Sequence, residues 1–161
     1  MRRKEQLDSY EKVKEKALRL LEFRAHSEYE LSVKLRQADA SDEHIEQALE
    51  FCRRYGFVND REYAVRKAKD LQRLKKYGSK RIKSELKAKG IDGEIIEEAI
   101  GEIDVDEENR ILISLAAKKL GGDFSDKNKD KCLRYLAYRG YDIYDIKDAI
   151  RTAEQEGLDE I

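Results

Sequence analysis

The sequence predicts an all-α protein: three tandem three-helix repeats forming an elongated, curved helical array. Three observations predict it. The composition suits helices, with 43% charged and 40% hydrophobic residues, no Pro, no Trp and only 9 Gly among 161 residues. Glu, Lys, Arg, Leu and Ala sustain helices, and breakers are scarce. Apolar residues recur at helical spacing, and no segment keeps a strand's alternation for more than a few residues. Finally, one pattern occurs three times along the chain.

The copies are Leu31 to Leu49, Ile82 to Ile100 and Cys132 to Ile150, at successive offsets of 51 and 50 residues. Without a gap, Leu35, Leu86 and Leu136 coincide, as do Ile45, Ile96 and Ile146, then Ala48, Ala99 and Ala149, then Leu49, Ile100 and Ile150. Within each copy, an apolar pair at i, i+4 (Leu31 with Leu35, Ile82 with Leu86) marks one helix face. Asp39, Gly90 or Gly140 follows, where a helix ends on a left-handed residue. Two residues later, Ser41, Asp92 or Asp142 caps a new helix. Each copy therefore reads as helix, tight turn, helix.

A longer amphipathic segment precedes each pair. Val13, Ala17, Leu20 and Leu21 mark it in the first copy, Ala64, Ala68, Leu71 and Leu74 in the second, after a cap at Asn59. Ile111, Leu112, Leu115, Ala116 and Leu120 mark it in the third. The expected repeats are residues 1–56, 57–103 and 104–161, the last with a short C-terminal tail. A unit of about 50 residues buries only a thin core, so neighbours are expected to share apolar faces.

Cys52 and Cys132 lie far apart in apolar helical positions, as buried reduced thiols. With His26 and His44 isolated, at the surface or at helix ends, no tetrahedral metal site forms and no cofactor is expected. Asp104-x-Asp106 opens like a calcium loop but lacks the required Gly and bidentate Glu. Phosphate-loop and dinucleotide signatures are absent, and no Ser or Cys is paired with a His, so an enzyme is not expected. The start, MRRKEQLDSYEK, has no apolar core behind its basic residues, and the longest apolar run, Ile111 to Ala117, is too short to span a bilayer. A cytoplasmic monomer without membrane contact is the expectation.

The net charge is −1, so any electrostatic function rests on local sorting. From Arg66 to Lys89 there are eleven cations and two carboxylates; from Ile91 to Glu108 there are nine carboxylates and no cation. Acids suit a helix start and bases a helix end. That covers Asp92, Glu94, Lys87 and Lys89 but not a basic run across two helices. Either the acidic helix neutralises the basic one internally, or the helices at 59–76 and 79–89 present a basic patch to a polyanion. The candidate contact residues are Arg66, Lys67, Lys69, Arg73, Lys75, Lys76, Lys80, Arg81, Lys83 and Lys87. Helix-turn-helix reading of a major groove does not fit. The helices that would enter the groove, 41–54, 92–102 and 142–153, are acidic. Tyr135, Tyr138, Tyr141 and Tyr144 crowd the third repeat; Tyr141 is expected in the core and the others half-buried, with stacking on bases or a partner as the alternative.

The stretch Tyr55 to Ile91 resembles the RecX family, regulators of the bacterial recombinase RecA. The resemblance rests on Asp60, Tyr63 and Ala64, then Gly78, Lys80, Arg81, Ile82, Glu85, Leu86, Lys89, Gly90 and Ile91. Residues Arg24 to Leu35, "RAHSEYELSVKL", are similar to the family's Arg-x-x-Ser-x-x-Glu-Leu pattern. It extends over about residues 13–155, more loosely in the third repeat, and Tyr63 stands where Phe is expected. It implies an all-helical, non-enzymatic protein that binds the RecA–DNA filament in DNA repair, recombination and the SOS response. It also implies that filament growth, ATP hydrolysis and strand exchange are limited, with direct contact to single- or double-stranded DNA. A nucleic-acid-binding protein acting without RecA is the alternative, and a protein scaffold insensitive to salt is a third class.

Overall fold

The computed structural model describes residues 5–159. The basic start at residues 1–4 and the last two residues of the expected tail lie outside them. Among the described residues there are nine α-helices and no strand. They are α1 (Tyr10–Phe23), α2 (Glu28–Gln37), α3 (Asp42–Arg54), α4 (Asp60–Lys75), α5 (Ser79–Ala88), α6 (Gly93–Gly101), α7 (Val105–Leu120), α8 (Asp126–Tyr138) and α9 (Ile143–Asp159). They fall into three three-helix groups; α1, α2 and α3 pack together, as do α7, α8 and α9.

Local chemistry sets the helix ends. The Ser27 hydroxyl accepts from the Glu30 N–H while the Glu30 carboxylate accepts from the Ser27 N–H, closing a capping box. Ser41 accepts from His44 N–H, Asn59 from Arg61 and Glu62 N–H, Asp92 from Glu94 N–H, and Asp142 from Tyr144 N–H. Each such cap contributes about 1 kcal/mol. Asp39, Gly90 and Gly140 have φ of 65°, 70° and 98°, the left-handed stops that the repeat pattern requires.

Two compact units divide the described chain. One comprises residues 5–64 and 87–96, the other residues 65–86 and 97–159. The first is centred on Val13, Ala17, Leu31, Leu35, Ile45, Ala48 and Cys52. The second contains a cluster of Leu112, Ala116, Cys132, Leu136, Tyr141, Ile146 and Ala149. Both cysteines are free and buried, as expected.

Within each unit the same contact recurs between successive repeats. In the first unit, the Ser27 hydroxyl at the start of α2 donates to the Lys89 carbonyl at the end of α5, 2.7 Å away. A Cβ on Gly90 would overlap the side chain of Tyr29. In the second unit, the Gly78 and Lys80 N–H groups at the start of α5 donate to the carbonyls of Arg139 and Gly140, at 2.9 and 3.0 Å. A Cβ on Gly140 would overlap Arg81. Glycine is thus required twice over at positions 90 and 140, by φ and by close approach, whereas exposed Asp39 meets only the φ requirement.

Several side chains depart from expectation. Leu74 is 67% exposed, because it lies to the side of the buried face that Ala64, Ala68, Leu71 and Gln72 form. His26 stands at a helix end, next to the Ser27 cap of α2, and is buried there at 2% exposure. Its Nδ1 lies 2.9 Å from the Arg24 carbonyl and its Nε2 2.8 Å from Lys34 Nζ. Tyr141 is buried, but Tyr138 and Tyr144 are each 74% exposed rather than half-buried. Helix α9 runs through Asp159, beyond the expected 142–153.

Candidate functional site

Helix α4 carries Arg66, Lys69 and Arg73 three and four residues apart, on the face away from Ala68 and Leu71. All three are exposed, as are Lys75 and Lys76 at the helix end; Lys67 is half-buried at the flank. On α5, Lys80 and Lys87 are exposed while Arg81 and Lys83 are half-buried. Lys87 belongs to the first compact unit, the other nine candidates to the second.

The pairing of these cations separates them into two sets. Lys80 Nζ lies 3.2 Å from Asp142, Arg81 Nε 3.1 Å from Glu85, and Lys83 Nζ 3.0 Å from Glu97. Arg73 reaches Asp70 only at 3.6 Å, with both side chains well exposed. An exposed pair of that kind contributes little and leaves the guanidinium available. Among the described residues no carboxylate pairs with Arg66, Lys67, Lys69, Lys75, Lys76 or Lys87. Internal neutralisation by the acidic segment thus reaches Lys83 through Glu97, and it does not reach the α4 cations.

Position 76 is fixed from behind. Lys76 ends α4 with φ 56°, a left-handed conformation that costs a non-glycine residue about 1 kcal/mol. Two side chains from the α8–α9 turn hold it. The Tyr141 hydroxyl donates to the Lys76 carbonyl at 2.8 Å, and the Arg139 guanidinium donates to the Lys75 carbonyl. With its backbone tied inward, the Lys76 ammonium points to solvent. Burial, ahead of the Glu108 charge, holds the Tyr141 hydroxyl above its ordinary range, so it stays protonated and can donate.

The same turn builds a ladder of rings and cations. The Arg81 guanidinium lies over Tyr138 and Tyr77, 5.2 and 4.8 Å from their centroids. Arg139 lies over Tyr77 and Tyr135, at 5.3 and 5.6 Å, and Lys119 Nζ lies 4.7 Å from the Tyr135 centroid. Arg81, counted as a contact residue from its charge, is therefore committed to Glu85 and two rings. Sequence reading did not single out Tyr77 or Arg139. Their only local signal was Arg139's place beside the Gly140 turn.

In the first unit a second polar cluster surrounds Glu30. Its carboxylate, 11% exposed, accepts from Arg24, Tyr63 and Lys89 and from the Ser27 N–H. Burial pushes the carboxyl up, but the Arg24, Tyr63 and Ser27 hydrogen bonds and the Lys89 charge outweigh it and hold the pKa at about 2. Asp60 accepts from the Glu28 N–H at 2.9 Å, capping α2 from the next repeat. Asp60, Tyr63, Lys89 and Gly90 thus join repeats rather than line a catalytic cleft. Among the described residues no His, Cys, Asp and Glu cluster suits a metal ion, and no helix is long and apolar enough to cross a membrane.

Two family models match the chain: the first three-helix domain of RecX over residues 14–52 and the second over residues 59–100. A regulatory protein RecX from Escherichia coli O1:K1 / APEC is 34% identical over 158 residues, covering 89% of this chain and 93% of that relative. One from Clostridium perfringens (strain 13 / Type A) is 36% identical over 148 residues, covering 89% and 68%. The crystal structure of RecX from Lactobacillus salivarius superposes with a TM-score of 0.80 at 26% identity, covering 97% of this chain and all of that one.

Proposed function

From the premise that the chain belongs to the RecX family of non-enzymatic regulatory proteins, we propose that it binds the RecA–DNA filament and limits its growth, ATP hydrolysis and strand exchange. The contact is the cationic surface of the repeat at 57–103, chiefly the α4 stripe of Arg66, Lys69, Arg73 and Lys76. One observation carries this reading: these α4 cations stand outside the pairing that the following acidic segment provides. Cations already held close to a carboxylate offer a polyanion less. Exposed, unpaired ones attract phosphates or a carboxylate-lined groove and release counterions on contact. Lys80, Arg81 and Lys83 hold the surface together through Asp142, Glu85 and Glu97 instead.

The experiment is RecA-driven ATP hydrolysis on single-stranded DNA while this protein is titrated in. The reading expects hydrolysis to fall with added protein, and to recover as salt rises. Hydrolysis that is indifferent to the protein, beside salt-sensitive binding to bare DNA, would favour a nucleic-acid-binding protein that acts without the recombinase.

A further inference from the structure

We propose that Tyr138 is a stacking site for an unpaired base of single-stranded nucleic acid, at the open end of the ladder Tyr138, Arg81, Tyr77, Arg139, Tyr135 and Lys119. Each inner ring of that ladder has cations on it: Tyr77 lies against Arg81 and Arg139, and Tyr135 against Arg139 and Lys119. Tyr138 has Arg81 alone, and is 74% exposed. Its ring is therefore held in place yet open, so a ligand need not order it first. The Arg81 guanidinium is itself fixed by Glu85 at 3.1 Å.

The chemistry around the ring selects the ligand. Lys75 and Lys76, unpaired and exposed, immediately precede Tyr77 in the chain, and Arg139 binds the Lys75 carbonyl. The neighbouring carboxylates are committed: Asp142 to Lys80, Glu85 to Arg81 and Glu108 to the Ser79 hydroxyl. An open arene on a ladder whose Tyr77 rung directly follows two free lysines in the chain suits a base with its phosphates, and base–arene stacking tolerates any sequence. In a duplex the base faces are already covered by their neighbours, so the site is one for single strands. The Tyr138 ring itself lies outside the α4 stripe, with Lys76 common to both, and stacking on it is measured without recombinase, so its failure and that of the filament reading are told apart.

The test uses the full chain, its Tyr138→Ala and Tyr138→Phe variants, and three labelled probes: an oligothymidylate of about twenty nucleotides, an abasic strand of equal length and a duplex. The expected results are a loss of about 5- to 150-fold in affinity for oligothymidylate in Tyr138→Ala, none in Tyr138→Phe, and none in either variant on the abasic strand or the duplex. Circular dichroism checks that both variants stay helical. Equal affinity of the natural chain for oligothymidylate and the abasic strand would overturn the proposal, leaving phosphate contact alone. So would an unchanged Tyr138→Ala, or an equal loss on all three probes.

Discussion

The Ser27 hydroxyl and the Lys89 carbonyl, 62 residues apart in the chain, meet at 2.7 Å where the first repeat receives the turn of the second. Beside them Gly90 presses its bare Cα against Tyr29. The atoms it would meet include the Tyr29 Cβ, which no rotamer change can move. Gly90→Ala therefore combines a left-handed penalty of about 1–2 kcal/mol with overpacking of about 1–3 kcal/mol. Gly56 has φ 72° but open space around it, so Gly56→Ala meets the first cost only. Urea unfolding is expected to show Gly90→Ala as clearly the less stable of the two.

Glu30 gives the first unit a defined acid sensitivity. Its folded pKa of about 2 lies below its ordinary 4.5. The sign follows from proton binding: above pH 4.5 the carboxylate is ionised in both states and its full contribution, on the order of 2–3 kcal/mol, is present. As pH falls from 4.5 towards 2, the unfolded state takes up the proton first and the contribution disappears. Glu30→Gln is thus expected to be less stable than the natural chain at pH 7, with the gap closing below pH 4.5. Urea midpoints measured across that range check it.

Tyr141 is expected to matter through one hydroxyl. Tyr141→Phe leaves the ring in the core but removes the donor to the Lys76 carbonyl. A loss of about 0.5–1.5 kcal/mol is expected by thermal unfolding. Faster amide exchange around residues 76–78 should accompany it, because the left-handed Lys76 loses a restraint.

Contact between the α4 stripe and phosphates has a salt signature. Four neutralised phosphates on a single strand correspond to a log–log slope of about −2.8 in affinity against salt. Charge reversal at Arg66, Lys69, Arg73 and Lys76 is expected to flatten that slope. Fluorescence anisotropy with labelled single strands measures it.

Much of the fold was legible because its rules are local. Asp39, Gly90 and Gly140 announced left-handed stops, and Ser41, Asn59, Asp92 and Asp142 announced caps, since those chemistries act within a turn of helix. The buried columns of Leu35, Leu86 and Leu136 follow from spacing alone. The site was less legible. Counting charges placed Lys80, Arg81 and Lys83 among the open cations. Asp142, however, is distant in sequence from Lys80, and the Tyr138 ring from Arg81; only the folded chain brings them together. The place of His26 at a helix end was legible from the Ser27 cap, but its burial was not, because the Lys34 amine that meets it is eight residues away. Tyr141 was placed in the core correctly, but nothing local marked Tyr138 and Tyr144 as more open than half-buried.

The central claim is that the exposed α4 cations carry the regulatory contact. It is tested most directly by RecA-driven ATP hydrolysis on single-stranded DNA, comparing the natural chain with Arg66→Glu, Lys69→Glu, Arg73→Glu and Lys76→Glu combined. The account predicts that the natural chain suppresses hydrolysis and that the variant, with helicity unchanged, does not. Equal suppression by both would contradict it.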